Sequence, residues 1–388
     1  MKNVFKKVVA TVMAVATMAT AAFSMASCNK ETNYAENNTT YKIGVFGPLT
    51  GAYAIYGQAT KNGAQLAVDE INKNGGLNGV NFELMSYDDQ GDSTMVNSGY
   101  ANMYENGMQA SLGCTTSGAC MEFSALSAQD NVFFLTPSAS GDDVTTLGDN
   151  SYQMCFKDGN QGGVAAEYVN SLGVTKIGVF YKSGDVYSQG IFEQFKSKLN
   201  SSIETVEASF INDSEDFTNQ VDKLKDCSFI FMPTYYEVAQ KFMAMAKGKV
   251  ADDATYYGCD GFDGINVDGV PQKVTMLSHF NSKATEGKAK EFIDNYTAKY
   301  GAETLNQFGA AAYDCVYAIY GAMKNAGDKV SVTMSASELC EVLKAEFNGG
   351  YTFSGVTGTD IKWQADGTVN KAAIAYVVKD ADKPETEE

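Results

Sequence analysis

Two hydrophobic periods alternate along most of the chain. Short apolar runs suited to buried strands are followed by a glycine-containing turn and then by a stretch with one apolar face at helical spacing. Lys42 to Phe46 is the first such strand; Gly47-Pro48-Leu49-Thr50-Gly51 turns, and Ala59, Gly63, Leu66, Ala67 and Ile71 mark one face of a helix ending at Gly75-Gly76. Further strands are expected at Phe82 to Tyr87, Ala110 to Gly113, Val132 to Leu135 and Tyr152 to Phe156. The cycle restarts at Lys176 to Tyr181, with a helix from about Gln189 to Leu199 and strands near Val206 to Phe210, Ser228 to Met232, Thr255 to Gly258 and Val274 to Leu277. Phe308 to Met323 reads as a strongly apolar helix, and the tail from Gly355 as strands around the turn Ala365-Asp366-Gly367. Strands alternating with helices argue for parallel sheets, and the restart argues for two of them. Two open α/β sheets facing each other leave a cleft at the carboxyl ends of their strands.

The N-terminus does not fit this pattern. Lys2, Lys6 and Lys7 precede an apolar run from Val8 to Ala22 that is shorter than the roughly 20 residues of a membrane span, and small residues follow. Residues 1–27 therefore read as an export leader. Met25-Ala26-Ser27-Cys28 resembles a lipobox, with Met25 where leucine is usual; cleavage there makes Cys28 a lipidated first residue, and ordinary secretion after Ala26 is the alternative. The polar run through Thr40 reads as a flexible tether over 28–40.

Composition narrows the function. Without the three leader lysines, 26 cationic residues stand against 47 acids, a net charge of −21, which argues against a nucleic-acid partner. Every cationic residue is lysine; with no arginine, the bidentate forks that recognise phosphates and carboxylates are missing, so anionic ligands are disfavoured. With Cys28 assigned to lipid, seven of the eight cysteines remain, an odd number that leaves at least one free thiol, and most are expected in the core.

Catalytic and metal constellations are thin. His279 is the only histidine and no Gly-x-Ser-x-Gly elbow accompanies it. Cys114 and Cys120 lack metal-ligand spacing, and Asp260, Asp263, Asn266 and Asp268 lack the alternate-residue spacing of a calcium loop. Gly44 and Gly47 do not make a dinucleotide fingerprint. The chain reads as a binder without a cofactor, not an enzyme. Three segments follow predicted strands at the cleft: Thr115-Thr116-Ser117-Gly118-Ala119, a helix start that can seat a carboxylate; Thr136-Pro137-Ser138-Ala139-Ser140; and Asp260 within Gly258-Cys259-Asp260-Gly261, which can meet an ammonium.

Together with Asn72-Lys73-Asn74-Gly75-Gly76-Leu77-Asn78-Gly79, Asp88-Asp89-Gln90-Gly91-Asp92, Asp185-Val186-Tyr187-Ser188-Gln189-Gly190, Tyr235-Tyr236 and Ala310-Ala311-Ala312-Tyr313-Asp314, these segments carry a family resemblance. Over about residues 41 to 380 the chain resembles the branched-chain amino acid type of ABC substrate-binding protein, with the type I periplasmic binding fold. The resemblance implies two doubly wound, Rossmann-like lobes joined by a three-segment hinge, with 41–157 plus 281–371 as lobe 1 and 158–280 plus 372–388 as lobe 2. It implies that Ser117 binds the ligand carboxylate, that Ser138 and Ser140 complete the carboxylate and ammonium contacts, and that Asp260 holds the ammonium. Tyr235 and Tyr187 match aromatic positions on the second lobe's wall, and Tyr56 one on the first. The implied protein is a bacterial, extracytoplasmic monomer, anchored at the membrane and delivering a small apolar or aromatic amino acid to ABC permease subunits. A ligand-sensing receptor subunit of the same fold is the alternative.

Overall fold

The computed structural model describes residues 32–212 and 216–380. The expected leader and Cys28 lie outside the described residues. Strands are β1 (Tyr41–Gly47), β2 (Phe82–Asp88), β3 (Ala110–Ser111), β4 (Phe133–Thr136), β5 (Ser151–Gln153), β6 (Lys176–Lys182), β7 (Glu204–Phe210), β8 (Phe229–Met232), β9 (Thr255–Gly258), β10 (Lys273–Ser278) and β11 (Ile374–Lys379). Helices are α1 (Ala54–Lys73), α2 (Ser93–Glu105), α3 (Ser117–Asp130), α4 (Asp158–Ser171), α5 (Val186–Lys198), α6 (Thr218–Leu224), α7 (Tyr236–Ala246), α8 (Gly287–Tyr300), α9 (Gln307–Ala326) and α10 (Ala336–Asn348).

The strands form two sheets, ordered β2-β1-β3-β4-β5 and β11-β10-β9-β8-β6-β7. All pairs are parallel except β10 with β11. The sequence explains the order. Central strands β4 and β8 are buried at every position and apolar but for Thr136, whereas β2 and β7, at sheet edges, mix buried and exposed positions. Each sheet is covered on both faces, the doubly wound arrangement the alternation predicts. On the first sheet, α1, α9 and α10 share one core with Ile43, Val45 and Leu135; α2 and α3 share another with Phe46 and Phe134. On the second, Val221 and Phe242 pack over one face and Val169 and Phe195 over the other.

Helices α1 and α9 meet at glycine. A Cβ on Gly63 would stand 1.9 Å from the Gly309 carbonyl oxygen, so the two backbones touch where the apolar face of α1 needs a residue without a side chain. Gly63→Ala is expected to force the helices apart and cost about 1–3 kcal/mol, read as a lowered urea midpoint.

The chain passes between the sheets three times: between β5 and α4, between β10 and α8, and between Val369 and β11. We propose the lobe boundaries in these crossings, at 157/158, 280/281 and 371/372.

Two expectations need correcting. The tether does not extend to Thr40: Ala35 and Asn38 are buried, the Asn38 side-chain amide donates to the Gly107 carbonyl (2.8 Å), and Tyr34 stands edge-on to Tyr104. Short polar residues there satisfy the end of α2 rather than solvent. The tail around 365–367 makes single bridges, Phe353 with Ile361 and Trp363 with Val369, rather than strands. Most of its backbone bonds stay within it, such as Phe353 with Ile361 and Gln364 N–H with the Thr368 carbonyl, and it meets the β5 sheet edge where the Gln153 N–H donates to the Gly367 carbonyl (2.9 Å) and the Gln153 carbonyl accepts from the Trp363 indole (2.9 Å). The seven cysteines among the described residues are all free thiols and buried.

Candidate functional site

Both sheets reverse strand order, at β1/β3 in the first and at β6/β8 in the second, and side chains from the loops beyond these points converge. Cys114–Thr116 lead from β3 into α3, Pro137–Ser140 follow β4, Pro233–Tyr235 follow β8, and the 3-10 turn Asp260–Phe262 follows β9. Gly258 is required before that turn, because a Cβ there would stand 2.2 Å from the Phe262 ring. On the first lobe, Asp88 shapes the loop after β1, accepting from the Leu49 N–H (2.9 Å) and the Thr50 N–H (3.3 Å).

These segments enclose a small cavity between the lobes, about 10 Å³ in volume. Tyr56, Thr116, Ser117 and Ser138 line it from the first lobe, and Tyr187, Tyr235 and Asp260 from the second. Six of the seven ligand-contact positions expected from sequence are thereby brought together. Ser140 is not among them. It is buried, but its carbonyl accepts from the Asp158 N–H (2.9 Å) and its hydroxyl lies against the Asp158 carboxyl, behind the cavity.

The first-lobe wall is a field of donors. Thr116 caps α3 in an extended conformation, and its hydroxyl oxygen is buried without a hydrogen-bond partner. The Ser117 hydroxyl accepts from the Gly141 N–H (3.1 Å), which leaves its own proton to donate. The helix's first bond is Cys120 N–H to the Thr116 carbonyl, so the N–H groups of the opening turn are unspent within α3. Ser138 donates to the Thr115 carbonyl and orders this turn rather than pointing a free proton into the cavity.

The second-lobe wall is acceptor-bearing. Asp260 is 1 % exposed; its Oδ1 accepts from the Tyr187 hydroxyl (2.6 Å) and its backbone N–H donates to Gln161 Oε1 (2.9 Å). Burial pushes its carboxyl up to about 6, against the pull of the Tyr187 and Gln161 hydrogen bonds. Tyr187 and Tyr235 stack at 4.8 Å with planes 7° apart, and Tyr56 packs edge-on to Phe308 at 4.9 Å, giving apolar ring surface beside the charged end. The lobes also bond directly: Tyr56 donates to the Gly261 carbonyl, the Tyr236 hydroxyl donates to the Ala52 carbonyl (2.8 Å), and Gln307 N–H at the start of α9 donates to Asp263 Oδ2 (2.8 Å). Asp263 thus ties the second lobe to a helix start and does not line the cavity.

Sequence reading missed three participants. Thr116 was visible in its segment but not singled out. Gln161, which orients Asp260, lies one turn into α4 with no motif around it, and Phe308 looked like ordinary helix core. No signal short of the fold would have found the last two.

The arrangement holds one buried carboxylate facing a helix start, with no cation in the wall. It suits a small zwitterion: carboxylate toward Thr116 and Ser117, ammonium toward Asp260. The sequence profile of the periplasmic binding protein family matches residues 40–383. The chain belongs to that family. A Leu/Ile/Val-binding protein of Rhizobium johnstonii is 31% identical over 281 residues, covering 69% of this chain and 76% of that one. A leucine-, isoleucine-, valine-, threonine- and alanine-binding protein of Pseudomonas aeruginosa is 25% identical over 307 residues, 76% of this chain and 81% of that one. Among solved structures, the branched-chain amino acid transporter substrate-binding protein LivJ of Streptococcus pneumoniae, in complex with isoleucine, superposes with TM-score 0.77 at 30% identity, covering 88% of this chain and 96% of that one. The chain is accordingly a type I periplasmic binding protein of the branched-chain amino acid ABC-transporter kind. The family is one of solute-binding proteins, extracytoplasmic and not enzymatic.

A proton would compete with a ligand ammonium docked against Asp260. With its carboxyl near 6, lowering the pH through about 6 protonates the residue and removes the ammonium's partner. Affinity for a zwitterionic ligand is expected to fall toward tenfold per pH unit below that point. In Asp260→Asn the affinity should be weak and nearly flat across the same range. Asp89 and Asp263, also raised by burial to about 6, remain in the variant and supply the background slope. Calorimetric titration at pH 5, 6 and 7.5 checks this.

Proposed function

We propose that this protein is the substrate-binding subunit of an ABC importer for an amino acid with a small apolar or aromatic side chain. The observation that carries the reading is the opposition, across one interlobe cavity, of a helix start with the Thr116 and Ser117 hydroxyls and the buried Asp260 carboxylate. One lobe captures the carboxylate, the three crossings bend, and the other lobe supplies the ammonium partner and covers the side chain with Tyr187 and Tyr235. The amino acids bound by the Rhizobium, Pseudomonas and Streptococcus relatives support this ligand class. Two further parts of the proposal come from the sequence: anchoring through lipidated Cys28 on the outer side of the membrane, and delivery by a monomer to permease subunits.

The cavity walls close to about 10 Å³, so entry of an amino acid requires the lobes to part. A thermal-shift screen of the twenty amino acids tests the ligand class. A binder present at a hundred times its dissociation constant stabilises the folded protein by about 2.7 kcal/mol, and leucine, isoleucine, valine or an aromatic amino acid is expected to give the largest shift. Glutamate or a sugar as the strongest hit would overturn the proposal, since a second carboxylate has no cation to meet in this wall.

A further inference from the structure

A second cavity, of about 430 Å³, lies away from the ligand cleft, against the second and third crossings. Two basic side chains form its floor: His279, 8 % exposed, directly after β10, and Lys371, 7 % exposed, shortly before β11. Phe156 from the first crossing stands edge-on to the imidazole at 5.1 Å, so all three crossings meet here. The His279 backbone N–H donates to Gln307 Oε1 (3.2 Å), yet both ring nitrogens are buried without a hydrogen-bond partner. Buried polar nitrogens are ordinarily paired, and an imidazole with two unpaired ones against a groove calls for a hydrogen-bond partner.

Lys371 is similarly under-used. Its ammonium donates to Thr357 Oγ1 (2.6 Å), and that hydroxyl donates to Asp314 Oδ2 (2.6 Å). Asp314 also accepts from the Val356 and Thr357 N–H groups (both 2.8 Å), so its oxygens are spent. Among the described residues no carboxylate lies within ion-pair distance of the Lys371 nitrogen. The neighbouring Cys155 and Cys315 thiols are pushed up by burial and stay neutral. At the rim, Lys362 adds a positive charge and Asp360 a negative one. The groove thus presents an ammonium with donors to spare and an imidazole lacking partners; the anion behind them, Asp314, is reached only through the Thr357 hydroxyl, and its own oxygens are spent.

We propose that this groove is a second ligand site, taking a small oxyanion, a carboxylate or phosphate group, between Lys371 and His279. The oxyanion accepts from the ammonium and from the imidazole N–H. Its charge favours imidazolium, which the burial of His279 and the nearby Lys371 otherwise hold back. Recognition is by point charges, since the chain has no arginine fork. The overall charge of −18 repels anions in general, so saturable binding here is distinguishable from diffuse attraction. The site stands apart from the amino-acid reading of the cleft.

His279 is the only histidine, so its imidazole gives one set of proton–carbon resonances in the intact protein. We expect a saturable movement of these resonances toward imidazolium positions when sodium phosphate or sodium acetate is added at pH 7, with sodium chloride holding ionic strength constant. A response to phosphate alone or to acetate alone identifies which oxyanion the groove takes. The response should vanish in Lys371→Met, accepted as a test if its melting temperature stays within a few degrees of wild type. Where that variant melts early, Thr359→Asp, at an exposed rim position, places a carboxylate in the groove and should abolish the response without touching the core. Resonances that move no further than with chloride, or that move equally in the qualifying variant, overturn the proposal.

Discussion

Replacing Asp260 with alanine is expected to weaken leucine binding by about 2–5 kcal/mol, or roughly 30- to several-thousand-fold at about 1.4 kcal/mol per decade. The carboxylate is 1 % exposed and oriented by Tyr187 at 2.6 Å, so an ammonium docked against it is a desolvated partner and not a screened surface charge. Its removal leaves the ammonium buried and unpaired. Ser117→Ala removes one hydrogen bond to a charged group, about 1.5–3 kcal/mol, because the Thr116 hydroxyl and the opening N–H groups of α3 remain. The expected order is therefore Asp260→Ala well below Ser117→Ala, measured by calorimetry on variants that keep the wild-type melting temperature. Near-wild-type affinity in Asp260→Ala would mean that another acceptor holds the ammonium. Asp263 is a poor substitute, since its Oδ2 already accepts from Gln307 at the start of α9.

The largest expected effect on stability comes from Asp314→Ala. This carboxylate is fully buried, accepts from the Val356 and Thr357 N–H groups and the Thr357 hydroxyl, and sits one hydroxyl away from buried Lys371. Its loss orphans two backbone donors and leaves the ammonium without a nearby negative charge. Breaking such a buried arrangement from one side costs on the order of 3–5 kcal/mol. Unfolding in urea should show the loss as a lower midpoint with an unchanged slope. A change below about 0.5 kcal/mol, the range of ordinary surface substitutions, would mean that the 353–357 loop does not depend on Asp314.

Much of the fold was legible because parallel sheets advertise themselves. Phe133–Leu135 and Phe229–Met232 are apolar throughout, and the helix between Gly51 and Gly75 repeats its apolar face so regularly that the pattern alone places Gly63 on it, where it packs against Gly309. The tail was harder. Its polar-apolar alternation looks like strand, but it folds into short internal bridges, and two bonds dock it on Gln153 of β5, a partner some two hundred residues away that local pattern cannot name. At the cleft, residues in loops after strands were found because carboxylate and hydroxyl groups there have a chemical purpose. Ser140 looked equivalent to Ser138 in sequence; the backbone turns it toward Asp158, and only the fold separates the two. Gln161 was invisible for the converse reason. It acts on Asp260 from ninety-nine positions away, accepting from its backbone N–H at 2.9 Å and hydrogen-bonding its carboxyl.

The central claim is that the two lobes divide a zwitterion between them, carboxylate to the first and ammonium to the second. Its most direct test is calorimetric titration with leucine beside two analogues that each lack one charge: 3-methylbutylamine, without the carboxylate, and 4-methylpentanoate, without the ammonium. Each analogue leaves one prepared wall facing nothing, and 4-methylpentanoate also leaves Asp260 buried without a counter-charge. Leucine is expected to bind while each analogue is weaker by at least about 2 kcal/mol, the low end for truncating one side of a buried charge pair. Binding of 4-methylpentanoate as tight as that of leucine would contradict the account.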